Sequence, residues 1–258
     1  MAAESVGMSQ KKKDRAATIG MIIFFSILAI LTVLPIYLLV LASFKPGNFL
    51  LQYGLNLNLD IPHLTLDNYK LLFTGKHDYW TWFGNSLILT VITVILTLAI
   101  SAFVAYGFAA YDFKGKNFFF IIVLLILSVP FEVIMLPLYK QISSWGMMDS
   151  YVSVVLPFLA HASTIFFFRQ YLLGLPKSLI EAGRIDGATE YGIFFKLIVP
   201  IMKPAFSAMA ILNGMNAWNN YLWPTIILQD SKAITMPMLV ANLKSGYSVD
   251  YGMLMLGV

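Results

Sequence analysis

The chain has 258 residues, of which 59% are hydrophobic and 12% are charged, whereas about 25% of residues in a typical soluble domain are charged. With a mean hydropathy of +0.78, this composition excludes a cytosolic globular enzyme and a disordered chain and indicates that lipid solvates much of the protein. The formal charge of +4 is too small and dispersed for a nucleic-acid-binding protein, and the lack of cysteine excludes disulfides, cysteine zinc sites and thiol catalysis.

Five apolar runs reach the length of about 20 residues that crosses the hydrocarbon core of a bilayer. They extend over Thr18–Phe44, Gly84–Tyr111, Phe118–Tyr139, Tyr151–Leu173 and Ala205–Leu228. A sixth run begins at Tyr251 and stops at Val258, which is too short to span a bilayer, so we expect a truncated sixth span. The predicted fold is an all-α membrane protein, a polytopic bundle of transmembrane helices.

The basic residues predict a cytoplasmic N-terminus, because cytoplasmic loops carry the excess of lysine and arginine. With that orientation, 11 of the 17 basic residues lie inside and six lie outside. The first run is too long for a signal-peptide core and lacks a clear cleavage site, so it is expected to be an uncleaved anchor. The predicted organisation is a cytoplasmic tail at 1–17 and a transmembrane domain at 18–258, with a cytoplasmic loop at 174–203 and an extracytoplasmic loop at 229–250.

The cytoplasmic segment 174–203 begins with signals for a short helix. Pro176 suits the first turn of a helix, where its missing N–H is not needed. Ser178 and Glu181 have the spacing of a capping box, in which the two side chains satisfy free N–H groups of the first turn. We therefore expect a capped helix to start here.

A turn and a second helix are predicted next. Asp186-Gly187 indicates a turn, since glycine accepts the positive φ at which helices end. Four apolar residues then follow at i, i+3, i+4 and i+7, which predicts a helix with one apolar face, ended by Pro200. These residues are Tyr191, Phe194, Phe195 and Ile198. The segment is thus predicted to form two short helices joined at a glycine.

This segment resembles the cytoplasmic EAA loop of permease subunits in binding-protein-dependent ABC importers. The matching residues are Glu181-Ala182-Gly183, Asp186-Gly187-Ala188, Phe195, Pro200 and Pro204. Other stretches are similar to the carbohydrate branch of that family, the maltose- and arabinose-type permeases. They are Asn85-Ser86-Leu87, Pro130, Pro137, Phe168-Arg169-Gln170, Asn213, Trp218-Asn219 and Trp223-Pro224.

The resemblance implies an importer of a sugar or oligosaccharide that works by alternating access in the cytoplasmic (inner) membrane of a bacterium or archaeon. The implied partners are a second permease subunit, two nucleotide-binding ATPase subunits and an extracytoplasmic sugar-binding protein. This sequence departs from the family in that most of the last span and of the cytoplasmic tail is absent. The alternative is that the EAA segment is an amphipathic loop that rests on the membrane surface. This alternative does not explain why the residue types and the spacings of the motif match together.

The resemblance also assigns roles within the EAA loop. Glu181 would pair with a basic residue of the nucleotide-binding subunit, and Gly187, after Asp186, would set the angle between the two short helices. Ala182 and Gly183 would permit close packing. Gly183 replaces the alanine of the motif, which loosens a helix interior by up to about 1 kcal/mol, unless a neighbouring side chain needs the space.

Nucleotide chemistry is expected on another polypeptide. The chain has no Gly-x4-Gly-Lys-Ser/Thr phosphate-binding loop. We therefore expect ATP and Mg²⁺ on the partner ATPase, and we predict no cofactor, metal or catalytic residue in this chain.

Polar residues at membrane depth mark the predicted substrate path, because they are costly in lipid and face a cavity or another helix. Asn213, Asn216 and Asn220 are spaced by three and four, which predicts one narrow arc of the fifth span, and Trp223 follows near its outer half. Amides beside aromatic rings suit the hydroxyls and ring faces of an uncharged sugar. An alternative with equal weight is that these asparagines form hydrogen bonds between helices and hold the bundle together. Glu132, a carboxylate two residues after Pro130, is a further candidate. A helix break that lets Glu132 reach water or a partner subunit is favoured over a proton relay, because no chain of titratable groups accompanies it.

Two features predict packing within the bundle. Ser101, Ala105 and Ala109 form a stripe of small residues that lets another helix approach closely. His161 has no second histidine or carboxylate at metal-ligand spacing, so we expect it to be hydrogen-bonded in the bundle rather than to bind a ligand.

Three alternatives remain beside a sugar importer. A similar importer for a polyamine or phosphorylated polyol should carry complementary charges along its path, and few are visible apart from Glu132. An intramembrane enzyme needs a catalytic set such as His-Glu-x-x-His, and a secondary transporter predicts inverted repeats. The sequence shows neither of these patterns.

Overall fold

The computed structural model describes residues 2–74, 79–230 and 233–245, and every regular element within these ranges is a helix. The chain divides into two units, one of residues 1–77 with 242–258 and the other of residues 78–241. The predicted all-α fold is confirmed. The predicted sixth run at 251–258 lies outside the described residues.

The first unit begins with one long helix. Helix α1 extends over Ala2–Ser43, and its apolar part, Ala17–Ser43, is long enough to cross a bilayer. Pro35 lies inside α1 without ending it. Three short helices follow, namely α2 (Gly47–Tyr53), a 3₁₀ turn (Ile61–His63) and α3 (Asp67–Thr74).

Lys45 organises the segment that follows α1. Its side chain is 1% exposed, and Nζ donates to Oδ1 of Asn56 at 2.8 Å and to the carbonyl of Asn58 at 2.7 Å. The Asp60 carboxylate lies 3.9 Å away. Because a buried ammonium group is costly without such partners, these contacts fix the fold of the segment.

The second unit contains one unbroken helix of spanning length and three bent pairs. The unbroken helix is α4 (Tyr79–Ala110), which starts before the predicted Gly84. The first bent pair is α5 (Lys116–Leu127) with α6 (Phe131–Ser144), and the second is α7 (Tyr151–Val155) with α8 (Ala162–Leu173). In the third pair, a first arm that contains α10 (Glu190–Gly192) and α11 (Val199–Ile201) is followed by α12 (Lys203–Trp218). A 3₁₀ turn (Leu156–Phe158) extends α7, and a π-helix (Ile193–Ile198) joins α10 to α11.

The bends have different sizes. They are 103° between α5 and α6, 43° between α7 with its 3₁₀ turn and α8, and 75° between Glu190–Ile201 and α12. If each bent pair is one span, the described residues contain up to five helices long and apolar enough to cross a membrane. Three helices lie outside these pairs, namely α9 (Ser178–Ile185), α13 (Leu222–Ile227) and α14 (Met236–Ser245).

One prediction about the C-terminal third was wrong. The run Ala205–Leu228 is not one helix, because α12 ends at Trp218 and α13 starts at Leu222. Pro224 has no N–H to donate to the Asn220 carbonyl, and its ring would clash with that carbonyl in a continuous helix. The segment 229–250, predicted as an extracytoplasmic loop, contains α14, in which Met238 and Leu239 are buried.

Helices α4, α8 and α12 pack together around a shared core. Ala105 of α4 and Phe168 of α8 are fully buried there, with Met209 of α12 beside them. The prediction that small residues on α4 admit a neighbouring helix is confirmed at Ala105. A second core surrounds Trp223, with residues of α6 and α7.

Candidate functional site

A cavity of about 150 Å³ lies between α4, the break that separates α7 from α8, and the end of α12. Its polar lining residues are Ser86, Thr93, Thr97, His161, Asn213, Asn216, Asn220 and Thr235. Among the described residues that line it, none is Asp, Glu, Lys or Arg. A polar space of this size holds several water molecules, since one needs only about 10–15 Å³. The cavity therefore suits an uncharged, hydrogen-bonding molecule.

The three predicted asparagines meet at this cavity, but not along one helical arc. Asn220 lies beyond the end of α12. Asn213 is buried, and its Nδ2 donates to Oγ1 of Thr164 at 3.1 Å and to the Met209 carbonyl at 2.9 Å. It therefore links α12 to α8, as the interhelical alternative predicts. Asn216 and Asn220 make no side-chain hydrogen bond within the described chain, so their amides can serve a ligand.

The break between α7 and α8 brings His161 to the cavity, which sequence reasoning missed. Its Nδ1 lies 2.8 Å from Oγ of Ser163, two residues along the chain, so this hydrogen bond is local to the start of α8. Thr97 Oγ1 donates at 2.8 Å to the carbonyl of Phe158, a group that the broken helix leaves available. Pro157, in the middle of the fourth apolar run, is the signal that could have located this break.

Two other predicted path residues do not line the cavity. Trp223 is fully buried, and its Nε1 donates to the Ser153 carbonyl at 3.0 Å while its ring meets Phe131 edge-on. It packs the second core. Glu132 is exposed in the first turn of α6, directly after the break at Pro130. A carboxylate at a helix N-terminus is favourable by itself, so the predicted helix break is present without a link to the cavity.

The segment that leads into α14 covers one side of the cavity. Asn85 Nδ2 donates to the carbonyl of Ile234 at 2.9 Å, and the N–H of Met236 donates to Oγ of Ser86 at 2.8 Å. Thr235, between them, lines the cavity. Two hydrogen bonds thus hold this cover against the start of α4.

The predicted capping box at the start of α9 does not form. Lys177 occupies the N-cap with helical φ and ψ, and no side chain caps it. Ser178 is already inside the helix, and the N–H groups of Ile180 and Glu181 donate to the Lys177 carbonyl at 3.1 and 3.2 Å. The backbone therefore satisfies the first turn, and the Glu181 side chain is left exposed for other contacts.

The predicted turn between the two short helices is confirmed. Gly187 has a φ of +74°, a conformation that disfavours every residue with a side chain. The N–H of Asp186 donates to the Ala182 carbonyl at 2.9 Å, and the N–H of Ala188 donates to the Gly183 carbonyl at 3.0 Å. These bonds end α9 in the manner of a glycine C-cap.

The second short helix differs from the prediction. It continues through Pro200 to the end of α11, and its central part, Ile193–Ile198, is a π-helix. In a π-helix each carbonyl pairs five residues later, so a face drawn for 3.6 residues per turn is wrong here. Phe194 is buried as expected, but Tyr191 and Phe195 are exposed.

A model of the family described as binding-protein-dependent transport system inner membrane component matches residues 100–258. That range includes the π-helix, the Gly187 turn and the asparagines of the cavity. The chain belongs to this family.

Similar proteins agree with that membership. The inner membrane component is 48% identical over 239 residues to the arabinooligosaccharides transport system permease protein AraQ of Bacillus subtilis (strain 168), covering 93% of this chain and 85% of that protein. It is 36% identical over 185 residues to the lactose transport system permease protein LacG of Rhizobium radiobacter, covering 72% and 68%. The relatives are transport subunits, and the prediction of a multi-pass membrane protein is confirmed.

A solved structure shows the same fold. It is a bacterial ABC transporter involved in the import of the acidic polysaccharide alginate, and the inner membrane component matches one of its chains with a TM-score of 0.81. The match covers 94% of this chain and 90% of that chain at 21% sequence identity.

The structure explains why the inner membrane component has Gly183 where the EAA motif has alanine. A Cβ at Gly183 would lie 3.0 Å from Cγ1 and 3.3 Å from Cδ1 of Ile193. Ile193 is 1% exposed, so it has little room to move. Ala182, in contrast, is exposed. The close packing predicted for both residues is therefore found at Gly183.

We expect Gly183→Ala to destabilise the contact between α9 and the π-helix, because the overlap with Ile193 outweighs the better helix propensity of alanine, about 1 kcal/mol. The matched background is Ile193→Ala, which removes both Cγ1 and Cδ1 from the contact. Ile193→Ala is destabilising by itself, but Gly183→Ala should lower the melting temperature less in that background than in the wild type, because the overlap is gone. Thermal unfolding of the purified proteins measures both losses, and an equal loss in the two backgrounds would contradict this account.

Proposed function

We propose that this inner membrane component is the permease subunit of an ATP-driven importer that moves an uncharged sugar or oligosaccharide by alternating access. The observation that carries the proposal is the cavity, whose polar lining consists of hydroxyl, amide and imidazole groups with no Asp, Glu, Lys or Arg among the described residues. Two relatives are permease proteins of arabinooligosaccharide and lactose transport systems, which supports a carbohydrate.

The chemistry of the cavity favours a sugar over charged solutes. Asn216 and Asn220 can each donate and accept hydrogen bonds, as sugar hydroxyls do. Trp218 and Phe158 line the same cavity and offer apolar faces to a sugar ring. A phosphorylated polyol or a polyamine would enter without a compensating charge, which is costly away from bulk water.

The EAA loop supports coupling to a separate ATPase. Glu181 is exposed and Ile185 is 85% exposed on α9, so this helix presents a free surface to a partner. We propose that α9 docks into one of two nucleotide-binding subunits, which hold ATP and Mg²⁺, with Glu181 paired to a basic residue there. A second permease subunit and an extracytoplasmic binding protein complete the assembly, and the N-terminus is cytoplasmic.

The test is ATP-dependent sugar uptake into proteoliposomes that contain the complete complex and its binding protein. Asn216→Ala and Asn220→Ala should each raise the KM for uptake by about fivefold, because each removes one hydrogen bond worth about 1 kcal/mol. The matched control is Asn219→Ala, since Asn219 is exposed, does not line the cavity and bonds only within its helix.

Two results would overturn the proposal. One is uptake that proceeds without the ATPase subunits or the binding protein. The other is an equal change of KM in Asn219→Ala and in the two cavity variants, which would show that the cavity does not hold the sugar.

A further inference from the structure

The Glu190 carboxylate joins α9 of the EAA loop to the end of α4. The guanidinium of Arg184, on α9, donates to both oxygens of Glu190, with Nε 2.7 Å from Oε1 and Nη2 3.3 Å from Oε2. From the other side, the Tyr111 hydroxyl donates to Oε2 at 2.6 Å and the Tyr106 hydroxyl donates to it at 3.4 Å. Tyr106 belongs to α4, and Tyr111 follows the last residue of that helix. Glu190 therefore bridges α9 and the end of α4.

These contacts fix orientation as well as distance. A bidentate arginine–carboxylate pair is directional, and hydrogen bonds to a charged acceptor are shorter and stronger than neutral ones. The pKa of Tyr111 is raised, first by burial and then by its hydrogen bond to Glu190, so the phenol stays protonated and donates at neutral pH. The start of α10 does not depend on Glu190, because Thr189 Oγ1 accepts from the N–H of Gly192 at 3.1 Å.

Helix α4 connects this bridge with the cavity. Next to the bridge, Phe103 stacks on Phe194 of the π-helix with ring centroids 4.4 Å apart. Further along the same helix, Thr97 and Thr93 line the cavity. A displacement of the end of α4 is therefore a displacement of a cavity wall, because the helix between them is unbroken.

We propose that Glu190 is a positioning residue that carries the movement of α9 to α4 and so to the substrate cavity. This inference rests on the proposed function, in which a nucleotide-binding subunit moves α9. With the bridge intact, α9 cannot turn about Gly187 without moving Tyr111. Without the bridge, the contacts that the described residues still provide include the Arg184 guanidinium over the Tyr111 ring, 5.6 Å from its centroid, and the packing of the π-helix against Phe103. Neither is as directional as a bidentate arginine–carboxylate pair.

The experiment measures sugar transported per ATP hydrolysed by the complete complex in proteoliposomes. Glu190→Gln keeps the shape of the side chain but removes its charge, and Tyr111→Phe removes one hydrogen bond. We expect the ratio to fall at least threefold in Glu190→Gln and by a smaller factor in Tyr111→Phe. The double variant should be no worse than Glu190→Gln alone, because both changes break the same bridge.

The matched control is Asp112→Asn, which removes a carboxylate at the same end of α4. Asp112 pairs with Lys116 at 3.0 Å, is almost fully exposed and makes no bridge to α9 among the described residues. Asp112→Asn should keep the wild-type ratio, and the subunits should co-purify in every variant. An unchanged ratio in Glu190→Gln would overturn the proposal, as would loss of the assembly, which would make Glu190 merely structural. Failure of the proposed function is separate, since the wild-type complex would then show no ATP-dependent uptake.

Discussion

Trp223→Ala should destabilise the protein by about 3–5 kcal/mol, the usual cost of emptying a buried tryptophan site. The side chain is fully buried in the second core, and its Nε1 donates to the Ser153 carbonyl. The variant leaves both a void and a carbonyl without its donor. Thermal unfolding of the purified protein in detergent measures the loss.

Trp145→Ala is the matched control, since Trp145 is 55% exposed and its removal opens no cavity. Its melting temperature should stay near the wild-type value. A Trp223→Ala variant with normal stability and altered sugar preference would contradict our assignment and return Trp223 to the substrate path.

Gly187→Val should cost more than about 1–2 kcal/mol at the turn of the EAA loop. The residue has a φ of +74°, where a side chain with a Cβ is strained by about that amount and a β-branched one by more. One or two kcal/mol changes a conformational population by about 5–30-fold. We therefore expect a fall of that size in ATPase stimulation by the binding protein, measured on the reconstituted complex.

The matched control adds the same side chain one position later. Ala188 is exposed and has a negative φ, so Ala188→Val introduces no comparable strain. Stimulation in Ala188→Val should remain close to wild type. A normal response in Gly187→Val would show that the bend between α9 and α10 does not depend on this glycine.

The helical class and the loop were predictable because both rest on local signals. Apolar runs of spanning length identify membrane helices without knowledge of their partners. Gly187 was found because a positive φ after a short helix selects glycine. The family motif identified the EAA loop as the segment predicted to couple to the ATPase, and the pairing of this loop with another subunit stays a prediction.

The errors arose where one local pattern competes with another. Asn220 lies four residues after Asn216, which predicted that both share one face of a helix. The helix ends at Trp218, so the spacing did not give the position of Asn220. The Ser178 side chain is of a type that can cap a helix, but the backbone is already helical at Lys177, which is therefore the N-cap. A π-helix has more residues per turn than the 3.6 assumed in the prediction, so the exposure of Phe195 could not be derived from that period.

The bridge at Glu190 could not be predicted for a different reason. It joins residues that are far apart in the chain, such as Tyr106 and Glu190, and no spacing rule connects them. The same holds for His161, which lines the cavity because a helix breaks beside it. Long-range contacts of this kind depend on the packing of whole helices.

Two of the helix breaks open toward the same cavity, at His161 and at Asn220. Helix ends carry backbone groups without intrahelical partners, and within a membrane such groups are tolerated only in a protein interior or beside water. The cavity has the room and the polar partners to hold several water molecules. Under the proposed function, each sugar hydroxyl that binds there displaces a water with similar hydrogen bonds, so the net gain for each hydrogen bond is limited to about 1 kcal/mol. Such modest retention would let the cargo leave quickly, and much of the selection of the sugar would then fall to the step before entry.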